Sequence, residues 1–234
     1  MSFNLEKIFQ ELSTDWKDDP EIQKIIQKHA PKVNELLGKE QLMYTDAVEI
    51  YPKQEHILNC FNHFNKSKLK VVLVGQDCYI NHGEAHGLCF SVMSESAKCP
   101  PSLRNVFKEL ERDYGIKRTT TDLTDWADQG VLLINKALTV RQGSSLSHMK
   151  IWKPFTDEIL KHITSSYTNI VYILWGNTAK EILPNIDESN NLVLCSVHPS
   201  PLAQGRGNSF VGNGHFTACN AYLEKVGKGN IVWV

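Results

Sequence analysis

The sequence predicts an α/β fold: a single domain on a central four-stranded, mainly parallel sheet, flanked by helices on both faces. Three observations carry this. Four short runs, Val71–Val74, Val131–Ile134, Ile170–Trp175 and Leu192–Val197, are apolar almost without interruption and rich in β-branched residues, so they read as strands buried on both faces. Segments long enough for helices separate them, as right-handed βαβ units require. Each run stops at glycine or polar residues: Gly75-Gln76-Asp77, Asn135, Gly176-Asn177 and His198-Pro199-Ser200. In a parallel sheet these ends share one edge, and ligands bind outside that edge.

In chain order, residues 1–45 carry apolar residues at helical spacing (Phe3, Ile8, Leu12, then Ile22, Ile25, Ile26), with Pro20 and Pro31 expected near helix boundaries. They read as a helical N-terminal capping segment on a main domain of residues 46–234. After Tyr51-Pro52, the residues Ile57, Phe61 and Phe64 predict a helix over Gln54–Phe64. The first strand follows, then a loop with Gly83 and Gly87 and the apolar stretch Leu88–Val92. Cys99-Pro100-Pro101-Ser102 cannot be helical in its middle, because each proline removes a donor. Ser102 is a good N-cap for a helix over Leu103–Tyr114. Phe155, Ile159 and Ile163 mark a helix over Trp152–Ile163. Beyond the last strand lie a glycine-rich loop (Gly205, Gly207, Gly212, Gly214) and a final helix over His215–Lys225.

The 234 residues carry a net charge of −1 and are 41% hydrophobic, with a pI of 6.7. A nucleic-acid ligand would be met by a local patch, not by a whole-molecule field. From Ser196 to Lys228 only Glu224 is acidic, against Arg206, Lys225 and Lys228, a mild local basic bias. No apolar run approaches the length needed to span a bilayer, and the first residues lack the charged-then-apolar pattern of a signal peptide. The six cysteines (Cys60, Cys78, Cys89, Cys99, Cys195, Cys219) include no Cys-x-x-Cys pair, so no zinc or iron–sulfur site is expected. Cys89 and Cys195, inside apolar runs, are expected to be buried. These features predict a soluble intracellular protein in a reducing compartment, nucleus or cytoplasm.

The strand ends bring together a carboxylate (Asp77), an imidazole (His198), a side-chain amide (Asn135) and, nearby, two aromatics (Tyr79, Phe90). Neither a Gly-x-x-x-x-Gly-Lys-Ser/Thr phosphate loop nor a Gly-x-Gly-x-x-Gly turn follows a strand, which argues against nucleotide hydrolysis and dinucleotide redox chemistry. A Gly-x-Ser-x-Gly nucleophile elbow is also missing. Cys78 could serve as a nucleophile near His198, but the adjacent Asp77 would raise its thiol pKa. An amide that reads a planar polar edge, an aromatic that stacks, a carboxylate and a histidine suit a nucleobase extruded from DNA.

At this point a resemblance becomes specific. Gly75-Gln76-Asp77-Cys78-Tyr79, with Ala85-His86-Gly87-Leu88-Cys89-Phe90-Ser91-Val92, resembles the water-activating motif of the family 1 uracil-DNA glycosylases. His198-Pro199-Ser200-Pro201-Leu202 resembles their second signature. Gln129 to Asn135, Leu138-Thr139-Val140-Arg141, Pro100-Pro101-Ser102-Leu103 and Leu174-Trp175-Gly176 match in the same order. The match runs from about Tyr51 to the C-terminus, so residues 46–234 resemble a glycosylase catalytic domain.

The resemblance implies a monomeric, metal-independent and cofactor-free DNA repair glycosylase. It would excise uracil from single- and double-stranded DNA by base flipping and leave an abasic site. Asp77 and His198 would be catalytic, orienting water and stabilising the departing uracil anion respectively. Gln76, Tyr79, Phe90 and Asn135 would hold the base. Pro100, Pro101, Ser102, Gly176, Asn177 and Ser200 would grip DNA phosphates. Leu202 would be the wedge behind the flipped nucleotide, with Arg206 supporting its loop. Uracil-containing DNA is the implied partner, with a proteinaceous uracil-glycosylase inhibitor or replication proteins as protein partners. The chain departs from the family at Cys78, where proline is usual, and at Ile80-Asn81, where histidine-glycine is usual; His82 is a candidate substitute for the missing histidine. Asn177 and Ala203 replace common serines. These departures keep two alternatives in view, a DNA-binding module that retains the fold and a cysteine hydrolase using Cys78.

Overall fold

The computed structural model describes residues 3–43, 49–93, 99–203 and 209–234. Its strands are β1 (Ile50–Tyr51), β2 (Val71–Gly75), β3 (Val131–Asn135), β4 (Val140–Arg141), β5 (Val171–Trp175) and β6 (Leu192–Ser196). Its helices are α1 (Leu5–Gln10), α2 (Pro20–Met43), α3 (Pro101–Tyr114), α4 (Thr124–Ala127), α5 (Met149–Ser166), α6 (Asn177–Lys180) and α7 (His215–Lys225). The four apolar runs form one sheet in the order β3-β2-β5-β6, with every neighbouring pair parallel. Every residue of β2, β3 and β5 is buried, which is why these runs are continuously apolar and not alternating.

Helices cover the sheet as expected. α7 packs on β5 and β6 and touches α3, while α1 and α5 both pack on α2. Trp175, at the end of β5, meets Phe210 and Phe216 edge-on at 4.8 and 6.0 Å between ring centroids. None of the described helices is long and apolar enough to cross a membrane.

Several local expectations are corrected. α2 runs straight through Pro31. An internal proline costs a helix about 3 kcal/mol, but Ile22, Ile25, Ile26, Ala30, Val33 and Leu37 are all buried along α2, and each large apolar side chain contributes about 1.5–3 kcal/mol. The stretch expected as a helix over 54–64 is instead two 3-10 turns, Gln54–His56 and Asn59–Phe61. Here the neighbouring loop decides the shape. A Cβ on Gly87 would lie 1.8 Å from the His56 carbonyl, and Asn59 Nδ2 donates to the His86 carbonyl at 2.9 Å. Ser102 is not a cap: α3 begins at Pro101, with Pro100 in the cap position. Proline suits that first position, where its missing N–H is not needed. Cys195 is exposed, because among the described residues β6 pairs only with β5 and is covered less than the inner strands. One pairing was not anticipated: β1 and β4 form a short antiparallel ladder, Ile50 opposite Arg141 and Tyr51 opposite Val140.

Candidate active site

The register of the sheet sets the site. Gly75 at the end of β2 pairs with Asn135 at the end of β3. A Cβ on Gly75 would sit 2.2 Å from Asn135 Oδ1 and 2.6 Å from Cys89 Cβ, so glycine is what lets the Asn135 amide lie over the end of β2. Asn135 is buried, and among the described residues its amide finds only the weak acceptor Cys78 Sγ, at 3.7 Å. A buried amide so poorly partnered is a polar edge waiting for a ligand.

Asp77 follows directly on this turn. Its Oδ2 accepts from the Ser145 hydroxyl at 2.8 Å and from the Leu146 N–H at 2.6 Å. Among the described residues its Oδ1 has only a long contact, 3.5 Å from Gln76 Nε2. One carboxylate oxygen is therefore tied back and the other is left available. Gln76 is held by Thr178 on α6, whose hydroxyl donates to Gln76 Oε1 at 3.1 Å. Sequence reasoning missed Ser145, Leu146 and Thr178. The one signal for the first two was a polar Gly143-Ser144-Ser145 run just after a matched motif.

The aromatic wall comes from the loop after β2. Tyr79 donates its hydroxyl to the Phe90 carbonyl at 3.0 Å, and Phe90 takes φ +62°. That left-handed backbone is rare for an aromatic residue and is held by its surroundings. The Phe90 ring lies 5.5 Å from the Trp175 ring and 5.7 Å from the His198 ring, tilted 36° from the latter. Burial lowers the His198 pKa, opposed by attraction to Asp77. His198 Nδ1 accepts the Ser200 N–H at 3.0 Å.

Gln76, Asp77, Tyr79, Phe90, Asn135 and His198 thus border one cavity of about 210 Å³, with Cys78, Ile80, Ser102 and Ser145 completing its wall. Cys78 is buried, and burial followed by the adjacent Asp77 charge pushes its thiol up to about 12. It is a protonated thiol at neutral pH and a poor nucleophile, which removes the support for a cysteine hydrolase. Among the described residues there is no cluster of three or more His, Cys, Asp or Glu side chains placed to hold a metal.

Of the described residues expected to meet DNA, only Ser102 lines the cavity. Pro100 and Pro101 start α3. Gly176 has φ +90° and precedes Asn177, the first residue of α6; a Cβ at Gly176 would come within 2.9 Å of His198 Cβ. Ser200 Oγ accepts the Leu202 N–H at 3.3 Å. Leu202 is 99% exposed on a 3-10 turn, Pro201–Ala203. Arg206 lies outside the described residues. His82 stands 3.1 Å from Glu49 Oε2 and 3.3 Å from the Tyr51 hydroxyl. The His198 loop is stitched to α3 on both sides: Asn105 Nδ2 donates to the Pro199 carbonyl at 2.8 Å, and the buried Glu109 carboxylate accepts the Gly214 N–H at 2.6 Å.

Known proteins match both the sequence and this architecture. A sequence model of the Uracil DNA glycosylase superfamily matches residues 61–224. The structure of mimivirus uracil-DNA glycosylase is 25% identical and superposes with a TM-score of 0.84, covering 99% of this chain and 90% of that one. A point variant of mimivirus UNG in complex with UGI, also 25% identical, gives 0.87 over 99% and 91%. Wild-type UNG from Nitratifractor salsuginis, at 17% identity, shares the fold with a TM-score of 0.56 over 96% and 93%. With the superfamily match spanning most of its length, the chain belongs to the Uracil DNA glycosylase superfamily.

Proposed function

We propose that this chain excises uracil from DNA by the family 1 mechanism, with Asp77 and His198 as its catalytic pair. It is a monofunctional glycosylase, a hydrolase of base excision repair. The observation that carries the reading is the one-sided tethering of both groups. Asp77 has one oxygen bound by Ser145 and Leu146 and the other open. His198 has Nδ1 bound by Ser200, leaving Nε2 for a ligand.

In this reading the flipped nucleotide enters the cavity. Phe90 stacks on uracil, Tyr79 excludes a 5-methyl group, and the Asn135 amide pairs with the uracil edge, supported by Gln76. Cytosine presents the reversed donor and acceptor pattern, and a mispaired buried polar group costs about 1–3 kcal/mol. As the glycosidic bond breaks, Asp77 stabilises the positive sugar and orients water, and the His198 Nε2–H stabilises charge on the uracil oxygen. Pro100, Pro101, Ser102, Gly176, Asn177 and Ser200 hold the backbone, and Leu202 fills the gap in the duplex. Residues 1–45 serve as a helical cap on the catalytic domain of residues 46–234. The protein acts as a monomer, and a UGI-type inhibitor binds it, as UGI does the mimivirus UNG variant.

The test is uracil release from a uracil-containing oligonucleotide, with a thymine control and the variants Asp77→Asn and His198→Leu. Release by the wild type, absence for thymine and loss by orders of magnitude in both variants are expected. DNA binding without release would replace this reading with a binding module.

A further inference from the structure

Residues 141–148 leave β4 and lead into α5, and the tip of this loop supplies both close donors to Asp77, the Ser145 hydroxyl and the Leu146 N–H. The loop closes on itself. The Arg141 N–H donates to Ser147 Oγ at 2.8 Å, and the Ser144 N–H donates to the Arg141 carbonyl at 3.0 Å. Leu146 takes φ +63°, a left-handed backbone that leucine rarely adopts. Its surroundings must therefore hold it there, as they do at sites where strain serves function.

One carboxylate reaches both ends of the loop. Glu40, in the last turn of α2, accepts from Arg141 Nε on Oε1 at 2.6 Å, and its Oε2 lies 3.0 Å from His148 Nε2. Arg141 opens the loop and His148 closes it. The Glu40 side chain is 11% exposed and that of His148 is fully buried, so these groups face each other away from water. Trp152 Nε1 donates to Thr139 Oγ1 at 2.6 Å, and that hydroxyl lies 2.7 Å from His148 Nδ1. The Glu40 carboxylate can only accept, so the imidazole carries a proton on the Nε2 that faces it, and in the neutral ring Nδ1 accepts from the Thr139 hydroxyl.

We propose that Glu40 is a positioning residue for uracil excision. By holding Arg141 and His148 it fixes the 141–148 loop, and the loop holds the Asp77 carboxylate in its working orientation through Ser145 and Leu146. The proposal rests on the catalytic reading of Asp77. It gives the N-terminal helical layer a part in the chemistry although Glu40 does not line the cavity.

The experiment is single-turnover uracil release, with enzyme in excess, for the wild type, Glu40→Ala, Asp77→Ala and the double variant. DNA affinity and thermal unfolding are measured on the same four proteins. Glu40→Ala should slow release by roughly tenfold or more in the wild-type background, since a small misplacement of a reacting group is costly. DNA affinity should stay within about twofold, the pattern of an interaction realised in the reaction step. In the Asp77→Ala background the same change should cause no further slowing, because no carboxylate remains to be positioned. Equal slowing in both backgrounds would mean that Glu40 only supports the fold, and no slowing in either would likewise overturn the proposal. If Glu40→Ala fails to fold, Glu40→Gln takes its place in the same comparison, keeping the shape and removing the charge. Wild-type release by Asp77→Ala alone would instead overturn the reading of Asp77, an outcome visible without any change at Glu40.

Discussion

His198 Nδ1 accepts the backbone N–H of Ser200 at 3.0 Å, which fixes the neutral imidazole with its proton on Nε2. Burial keeps the ring neutral by lowering its pKa below the ordinary 6.5, against an opposing pull from Asp77. The neutral form is therefore lost only below the usual imidazole range. The single-turnover rate should stay level as pH falls through about 6.5 and decline only at more acidic values, as far as His198 governs it. A rate that climbs on acidification through that range would require a catalytic imidazolium and would refute the neutral donor. Removing the donor with His198→Leu should cost roughly 10²–10³ in rate.

The contact between Gly75 and Asn135 makes a second prediction. A methyl group at Gly75 would overlap both Asn135 Oδ1 and Cys89 Cβ. Cys89 lies in the core and Asn135 ends a buried strand, so neither can retreat freely. Gly75→Ala should destabilise the fold by about 1–3 kcal/mol, read by urea denaturation. It should also displace the Asn135 amide and narrow the ratio of uracil to cytosine release. Unchanged stability with unchanged selectivity would show that the overlap is relieved without moving the amide.

Leu202 presents the opposite situation, a large apolar side chain that is 99% exposed. Its loop is held by Asn105 on the Pro199 carbonyl and by Ser200 on its own N–H, so the side chain itself supports nothing in the fold. Leu202→Ala should leave stability within about 0.5 kcal/mol. Release from duplex DNA should fall several-fold more than release from single strands, because only the duplex must be unstacked. An equal loss on both substrates would rule out a wedge.

How much of this was visible in the sequence depended on where each constraint comes from. β2, β3 and β5 were legible because strands covered on both faces must be apolar throughout. The exposure of Cys195 was not, because it reflects the place of β6 at the edge of the sheet among the described residues, and no local pattern encodes that. The stretch from Gln54 to Phe64 has helical spacing, yet the approach of Gly87 to His56 shapes it. Asp77, Asn135 and His198 could be singled out because strand ends must share an edge. Ser145, Leu146 and Thr178 could not, since they reach Asp77 and Gln76 from distant parts of the chain. The tie from Glu40 to Arg141 spans 101 positions in sequence and exists only in the folded protein.

A last prediction concerns acid stability. His215 is buried at the start of α7, and its Nδ1 accepts the Trp175 indole N–H at 3.0 Å. Burial lowers its pKa from 6.5 to about 4, with attraction to Glu109 opposing the shift. Between those values the unfolded chain binds a proton that the folded chain refuses. The contribution of His215 is therefore complete above about pH 6.5 and is lost as pH falls toward 4. The gap corresponds to about 3 kcal/mol. His215→Asn retains an acceptor for Trp175 but does not titrate. Urea denaturation of both proteins at several pH values isolates the contribution of His215, because the other titrating groups are common to the pair. The stability of the wild type relative to the variant should fall by about 3 kcal/mol between pH 7 and pH 4. Parallel pH profiles for the two proteins would mean that His215 takes up its proton in the folded state as readily as in the unfolded one.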